Sequence, residues 1–244
     1  MDEITREMWM PLVEQCEQYG ITLSENQVQQ FHDFYEMLIE KNKVMNLTAI
    51  TRQEEVMEKH FLDSLTLSLI LPLKGNEKIL DLGTGAGFPG IPLNIWQPSV
   101  RMTLTDSLQK RISFLDEVIE KLQLPNTQTV HGRAEDLAHQ AKYREAYDLC
   151  ISRAVAALPV LCEYCLPFVK EGGVFVAYKS GNVEEELVSA KKALSILGGS
   201  VKEVKSFSIG QENMARTLIC IEKVKKTPGK YPRKAGTPSR QPLG

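Results

Sequence analysis

The chain has 244 residues, 43% hydrophobic and 25% charged, with a formal net charge of −2. That length holds one large domain or one domain with a small extension, and the composition is ordinary for a soluble globular protein. No charge-free apolar run reaches membrane length and the N-terminus has no secretory signal pattern. Five cysteines, an odd number, argue against a disulfide framework and for a reducing cytoplasm.

Residues 1–60 read as helices. Ser24 and Gln27 have the spacing of a capping box ahead of Val28, Phe31, Phe34, Leu38 and Ile39, which lie near one helical face. Thr51 and Glu54 have the same spacing and are expected to open a helix over 56–61, with an irregular connection over 42–50 between the two. Residues 1–70 then form a helical cap, which either shapes a substrate surface or covers the sheet edge. His32, His60, His131 and His139 share no ligand spacing, and none is read as a metal ligand or a catalyst.

From Lys78 onward strand and helix patterns alternate. Strands are expected at 78–82, 100–105, 127–131, 147–152 and 172–179, and helices around 90–97, 108–123, 134–141, 157–167 and 183–197. Such alternation builds βαβ units and a parallel sheet. Two further strand-like runs, 201–208 and 215–223, have no clear helix between them and read as a hairpin, which makes one strand antiparallel. The expectation is an α/β protein with a doubly wound, mostly parallel, seven-stranded sheet over 71–224. Cys162 and Cys165 form a lone C-x-x-C within an apolar helix, where thiols behave as small apolar groups, and no metal is expected.

The last stretch, 225–244, is basic and broken by Pro228, Pro232, Pro238 and Pro242. Seven basic residues and no acid lie between Lys223 and the end, so residues 1–222 carry −9. Prolines at this density are expected to keep the tail from packing as a helix or central strand. A basic tail on an acidic body fits a polyanionic partner, or a solvated end that orders when the partner arrives.

Chemistry concentrates where the first strand ends. Ile79–Leu82 is an apolar run broken by Asp81, as in a buried parallel strand. Gly83, Gly85 and Gly87 follow at alternate positions, then Gly90. Glycine allows a sharp turn and lets backbone approach a ligand without a Cβ in the way. In doubly wound sheets ligands bind beyond the carboxyl ends of the strands. The same place on strand two holds Asp106, whose carboxylate can accept both ribose hydroxyls of an adenosine or cap the next helix. After strand three, Ala134 and Glu135 can read an adenine edge. Strand four ends in Ile151-Ser152-Arg153-Ala154, where Arg153 needs a partner, either a ligand or a carboxylate such as Asp81 or Glu135. Gly85-Ala86-Gly87-Phe88-Pro89-Gly90 also matches the dinucleotide pattern GxGxxG, so a nicotinamide-dependent oxidoreductase is the second reading. Its register is poor, because Gly83 already ends the strand two residues earlier.

The Asp-x-Gly-x-Gly-x-Gly register resembles the class I S-adenosylmethionine-dependent methyltransferases. The run from Asp81 to Leu93, with Asp106-Ser107-Leu108-Gln109-Lys110-Arg111 and Ile151-Ser152-Arg153-Ala154, resembles the ribosomal RNA small-subunit methyltransferase G family, also called glucose-inhibited division protein B. So do Asn46-Leu47-Thr48 and His60-Phe61-Leu62-Asp63-Ser64-Leu65 in the cap, and Tyr231-Pro232-Arg233-Lys234-Ala235-Gly236-Thr237-Pro238 near the end. The resemblance covers nearly the whole chain. It implies a Rossmann-like fold and transfer of a methyl group from S-adenosylmethionine to N7 of a guanine in 16S rRNA. By motif position it puts cofactor contacts on Gly83, Phe88, Ala134, Glu135 and Arg153, to which the residue reading adds Gly85, Gly87 and Asp106. Guanine N7 has an in-plane lone pair and no proton, so no general base is expected and positioning supplies the rate. The motifs of amine- and carbon-directed methyltransferases are missing: strand four ends in Ser-Arg-Ala, and Cys150 lacks a flanking proline. Lys110, Arg111, Lys179 and Arg216 are expected to join Lys225, Lys226, Lys230, Arg233 and Lys234 in contacting RNA. A cytoplasmic monomer acting on the small ribosomal subunit is the expectation. A non-catalytic RNA-binding protein on the same fold is the third reading.

Overall fold

The computed structural model describes residues 3–153 and 155–244. Seven strands form one sheet: β1 (Lys78–Leu82), β2 (Arg101–Asp106), β3 (Thr127–His131), β4 (Tyr147–Arg153), β5 (Val169–Ser180), β6 (Gly199–Ile209) and β7 (Met214–Lys223). Their order is β3-β2-β1-β4-β5-β7-β6, with β7 antiparallel to both neighbours and every other pair parallel. The terminal hairpin is thus where the missing helix predicted it. The strand order reverses between β1 and β4, which is where a doubly wound sheet opens a crevice.

The cap holds α1 (Glu3–Gln18), α2 (Glu25–Met45) and a bent helical run. That run is α3 (Gln53–Val56), a π-helical turn Met57–Leu62, α4 (Asp63–Leu65) and a 3-10 turn Thr66–Leu69. The remaining helices are α5 (Gly90–Trp96), α6 (Gln109–Leu122), α7 (Ala134–Leu137), α8 (Leu158–Cys165), α9 (Glu184–Leu197) and α10 (Thr237–Arg240). Ser24 and Gln27 close a reciprocal capping box on α2. Thr51 and Glu54 do not: α3 follows Arg52 and has no side-chain cap. Helix α2 also runs to Met45, into the stretch expected to be irregular, and stops at Asn46 in the left-handed conformation (φ 49°), which asparagine tolerates.

Strand side chains alternate between two cores, as a period of two requires. Ile79, Leu149, Ile151, Val176, Leu218 and Cys220 face one side and join Trp9, Phe31, Phe34, Phe61 and Leu115. Leu80, Cys150, Phe175, Ala177, Ile219 and Ile221 face the other and join α8, α9 and Tyr231. The first core crosses from cap to sheet without a break. Phe61 touches Trp9, Phe31, Phe34 and Phe88, with ring centroids 4.9–6.0 Å apart. Burying one such ring contributes about 1.5–3 kcal/mol, so this aromatic cluster is one of the contacts that hold the cap to the sheet. Cys162 and Cys165 are buried in the second core, and burial pushes both thiols up.

The final stretch departs from expectation. It packs as a strap across the α7–α8 side of the sheet, and α10 is a short helix with Pro238 buried in its first turn. Proline is tolerated there because no helical N–H is lost. Arg233 grips Glu163, which is fully buried, through Nε and Nη2 at 2.7–3.2 Å. Arg144 donates to the carbonyls of Thr227, Pro228 and Tyr231. The charge of Arg233, expected to face RNA, is therefore engaged by a buried carboxylate. Lys223, counted with the tail by charge alone, is the buried last residue of β7 and donates to Leu166 O and Val169 O. Among the described residues no helix is long and apolar enough to cross a membrane.

Candidate active site

At Gly83 and Gly85 the backbone has positive φ (70° and 63°), which permits the turn that follows β1. The turn is pinned on both sides. Gly83 and Thr84 N–H groups donate to Thr105 O on β2 at 2.9 and 3.0 Å. Thr84 Oγ1 and Gly90 N donate to Asp81 Oδ2 at 2.6 and 2.8 Å. Asp81 is buried, and burial pushes its pKa up to about 6 against the pull of those two donors. A Cβ on Gly90 would meet Asp81 Oδ2 at 2.7 Å, so carboxylate and helix start are in direct contact. The three earlier glycines divide by role. A Cβ on Gly85 meets nothing within 4 Å, whereas one on Gly87 would strike Ile91 and Leu115. Gly87, expected at the ligand, is instead a packing position behind the loop and is absent from the cavity lining.

Strands β2, β3 and β4 end around the same crevice. Asp106 Oδ2 accepts from Gly85 N and from Arg111 Nη1, both at 3.1 Å, and Oδ1 accepts from Leu108 N at 2.9 Å. It braces the start of α6 and also lines the cavity. Ala134 and Glu135 open α7, and Glu135 Oε1 accepts from the strap's Gly236 N at 2.9 Å. Ser152 Oγ donates to Leu82 O at 2.9 Å and ties β4 to β1. Ala154, the last residue of that motif, lies outside the described residues.

Arg153 has a partner, but neither Asp81 nor Glu135. Its Nη1 meets Asp63 Oδ2 at 2.7 Å, and Arg216 Nε meets Asp63 Oδ1 at 2.7 Å. One cap carboxylate thus holds two arginines from the sheet. The Arg153 guanidinium lies 5.2 Å from the Phe88 ring centroid, and His60 stacks on Phe88 at 4.5 Å. His60 Nε2 is 2.8 Å from Thr48 Oγ1. Burial, and then the Arg153 charge, push this imidazole down to about 4, so it is neutral near pH 7.

Around these residues lies a cavity of about 610 Å³, within the range of small-ligand sites. One end has Gly83, Gly85, Asp106, Ala134 and Glu135, and the other has Leu47, Thr48, His60, Phe88 and Arg153. Tyr164, Gly236 and Ser239 complete the wall. Sequence reasoning missed His60 and Tyr164 and the contribution of the strap, because each comes from an element whose docking no local pattern encodes. The helix α5 that follows the loop argues against a dinucleotide. Its Gly90 N–H is already taken by Asp81, and its first turn is buried, so a pyrophosphate has no free amides there.

A family model described as rRNA small subunit methyltransferase G matches residues 27–215. The chain belongs to that family. It is 53% identical over 224 residues to the ribosomal RNA small subunit methyltransferase G of Lachnoclostridium phytofermentans, covering 92% of this chain and 93% of that one. It is 48% identical to the same-named protein of Acetivibrio thermocellus over 243 residues, 100% of both chains. Among solved structures it resembles M. jannaschii TYW2 in complex with AdoMet, with a TM-score of 0.54, 15% identity, and coverage of 71% of this chain and 78% of that one. That likeness concerns the fold.

The cations expected to contact RNA are placed unequally. Arg111 is paired with Asp106, Arg216 with Asp63, and Lys179 with Glu186 at 2.6 Å. Lys110, Lys225, Lys226, Lys230 and Lys234 are exposed. Among the described residues no cluster of three or more His, Cys, Asp or Glu is arranged to hold a metal.

Proposed function

We propose that this member of the methyltransferase G family transfers the methyl group of S-adenosylmethionine to N7 of a guanine in 16S rRNA of the small ribosomal subunit, in the cytoplasm. The observation that carries this reading is the cavity itself. It lies at the strand-order reversal, with open space beside Gly85 and the Asp106 carboxylate on its wall. The fit to the cofactor is one of volume and of donors and acceptors: a glycine loop that admits a ligand, and a carboxylate able to accept from ribose hydroxyls.

S-adenosylmethionine supplies an electrophilic methyl on a sulfonium. The chain's part is to position and to exclude water. Gly85 leaves backbone room, Gly83 lines the same wall, Asp106 accepts from the ribose, and Ala134 and Glu135 flank the adenine. Phe88 and Arg153 define the end towards the cap, where Leu47, Thr48 and His60 face the incoming base. A neutral His60 adds no charge there to oppose a base that becomes cationic on methylation. No side chain takes a proton, because guanine N7 carries none. Residues 1–70 on this reading are the substrate wall and 71–224 the cofactor domain. Lys110, Lys225, Lys226, Lys230 and Lys234 carry the electrostatic attraction to RNA.

The test is mass mapping of 16S rRNA from cells with and without this chain, with methyl transfer to purified small subunits as the direct assay. One guanine is expected to gain 7-methylation only when the chain is present. An unchanged methylation map would end the proposal, and binding of subunits without transfer would favour the non-catalytic reading.

A further inference from the structure

The C-terminal strap passes along the site. Gly236 and Ser239 line the same cavity as Ala134 and Glu135. Three contacts fix them there. Gly236 N donates to Glu135 Oε1 at 2.9 Å, Tyr164 Oη and Ser239 Oγ are 2.9 Å apart, and Arg233 locks onto the fully buried Glu163 one residue before Tyr164. The strap's outer face is basic and exposed at Lys230 and Lys234, while its inner face holds Tyr231 and Pro238, both buried. A segment that merely trailed along phosphates would not carry a buried ion pair and a buried proline at its centre.

We propose that residues 233–240 form the outer wall of the adenine end of the cofactor site, with Ser239 and Tyr164 as cofactor-contacting side chains. This rests on the reading of the cavity as the S-adenosylmethionine site. Glu135 is then shared: one oxygen holds the strap, and the rest of α7 faces the adenine. The strap couples the two ligands, since its inner face touches the cofactor and its lysines face RNA. Its contribution to cofactor binding is additional to any contribution to RNA affinity.

The test uses the full chain. Ser239 is exposed at the cavity mouth, so Ser239→Trp fills the adenine end without disturbing the core. S-adenosylmethionine affinity by calorimetry is expected to fall at least about tenfold, and about two- to tenfold for Tyr164→Phe, the scale of one hydrogen bond. In the wild-type chain, saturating S-adenosylmethionine is expected to slow tryptic cleavage after Lys234. Gly85→Val serves as the control for the cavity. If Gly85→Val loses the cofactor while Ser239→Trp binds as wild type, and cleavage after Lys234 ignores the cofactor, the strap proposal is overturned and the cavity reading stands. If the wild-type chain does not bind S-adenosylmethionine, both fall. If Ser239→Trp does not fold, the cleavage experiment decides alone.

Discussion

His60 lines the cavity and also bears on stability. Its ring lies on Phe88, with Nδ1 3.4 Å from Arg153 Nη2, and its pKa is pushed down from 6.5 to about 4. Between those values the unfolded chain binds a proton that the folded chain refuses. The fold therefore loses stability as pH falls from 6.5 towards 4, by at most about 3 kcal/mol. Asp81 works the other way. With its pKa raised from 3.8 to about 6, its contribution is present at low pH and is lost as pH rises towards 6. The two oppose each other between pH 4 and 6, so a bare stability curve would not separate them. The difference between wild type and His60→Phe does. Denaturant midpoints of the two are expected to converge as pH drops from 6.5 to 4. Parallel curves would mean that His60 is not held neutral.

At the scale of elements, the cap is joined to the sheet by the aromatic cluster, by side-chain hydrogen bonds such as those of Gln27, Gln30 and Tyr178, and by one carboxylate that holds two arginines. Asp63 opens α4, directly after the π-helical turn, and its two oxygens reach Arg153 on β4 and Arg216 on β7. Removing it leaves Arg153 and Arg216 facing each other, each only 15–20% exposed. Asp63→Ala is expected to cost about 3–5 kcal/mol, the range for breaking a buried pair from one side. Because Arg153 lines the cavity, S-adenosylmethionine affinity should fall as well. Asp63→Asn, which keeps the shape, should lose less of both. A variant with an unchanged urea midpoint would show that Asp63 contributes nothing to holding the cap.

For the whole molecule, the charge asymmetry survives folding but shrinks. Residues 1–222 carry −9 and the remainder is basic. Arg233 is neutralised by Glu163 and Lys223 is buried beside Glu145, which leaves Arg240 and four lysines, Lys225, Lys226, Lys230 and Lys234, exposed on the strap. Replacing these four lysines and Lys110 with glutamine should weaken binding to small-subunit RNA. The slope of log affinity against log salt should become shallower by about 0.7–0.9 for each phosphate no longer neutralised. S-adenosylmethionine affinity should not change, since none of the five lines the cavity. An unaltered slope would show that RNA is held elsewhere. Deleting the strap is not an equivalent experiment, because it would leave Glu163 charged and buried without its partner.

Much of this was decided by local sequence. The short apolar runs and their helical spacers determined seven strands and the terminal hairpin, because burial on both faces of a parallel strand requires continuous apolar residues. The glycines after β1 and the acid at the end of β2 located the crevice, because a tight turn and a polar strand end are local events. Which carboxylate meets Arg153 was decided only in three dimensions. Asp63, Asp81 and Glu135 are equivalent in charge, and the choice follows from how the Phe61 cluster seats the cap on the sheet. The same holds for the strap. Its prolines and lysines read as a solvated end, yet Glu163, 70 residues away and buried, demands a cation, and the docking of α8 decides that Arg233 supplies it.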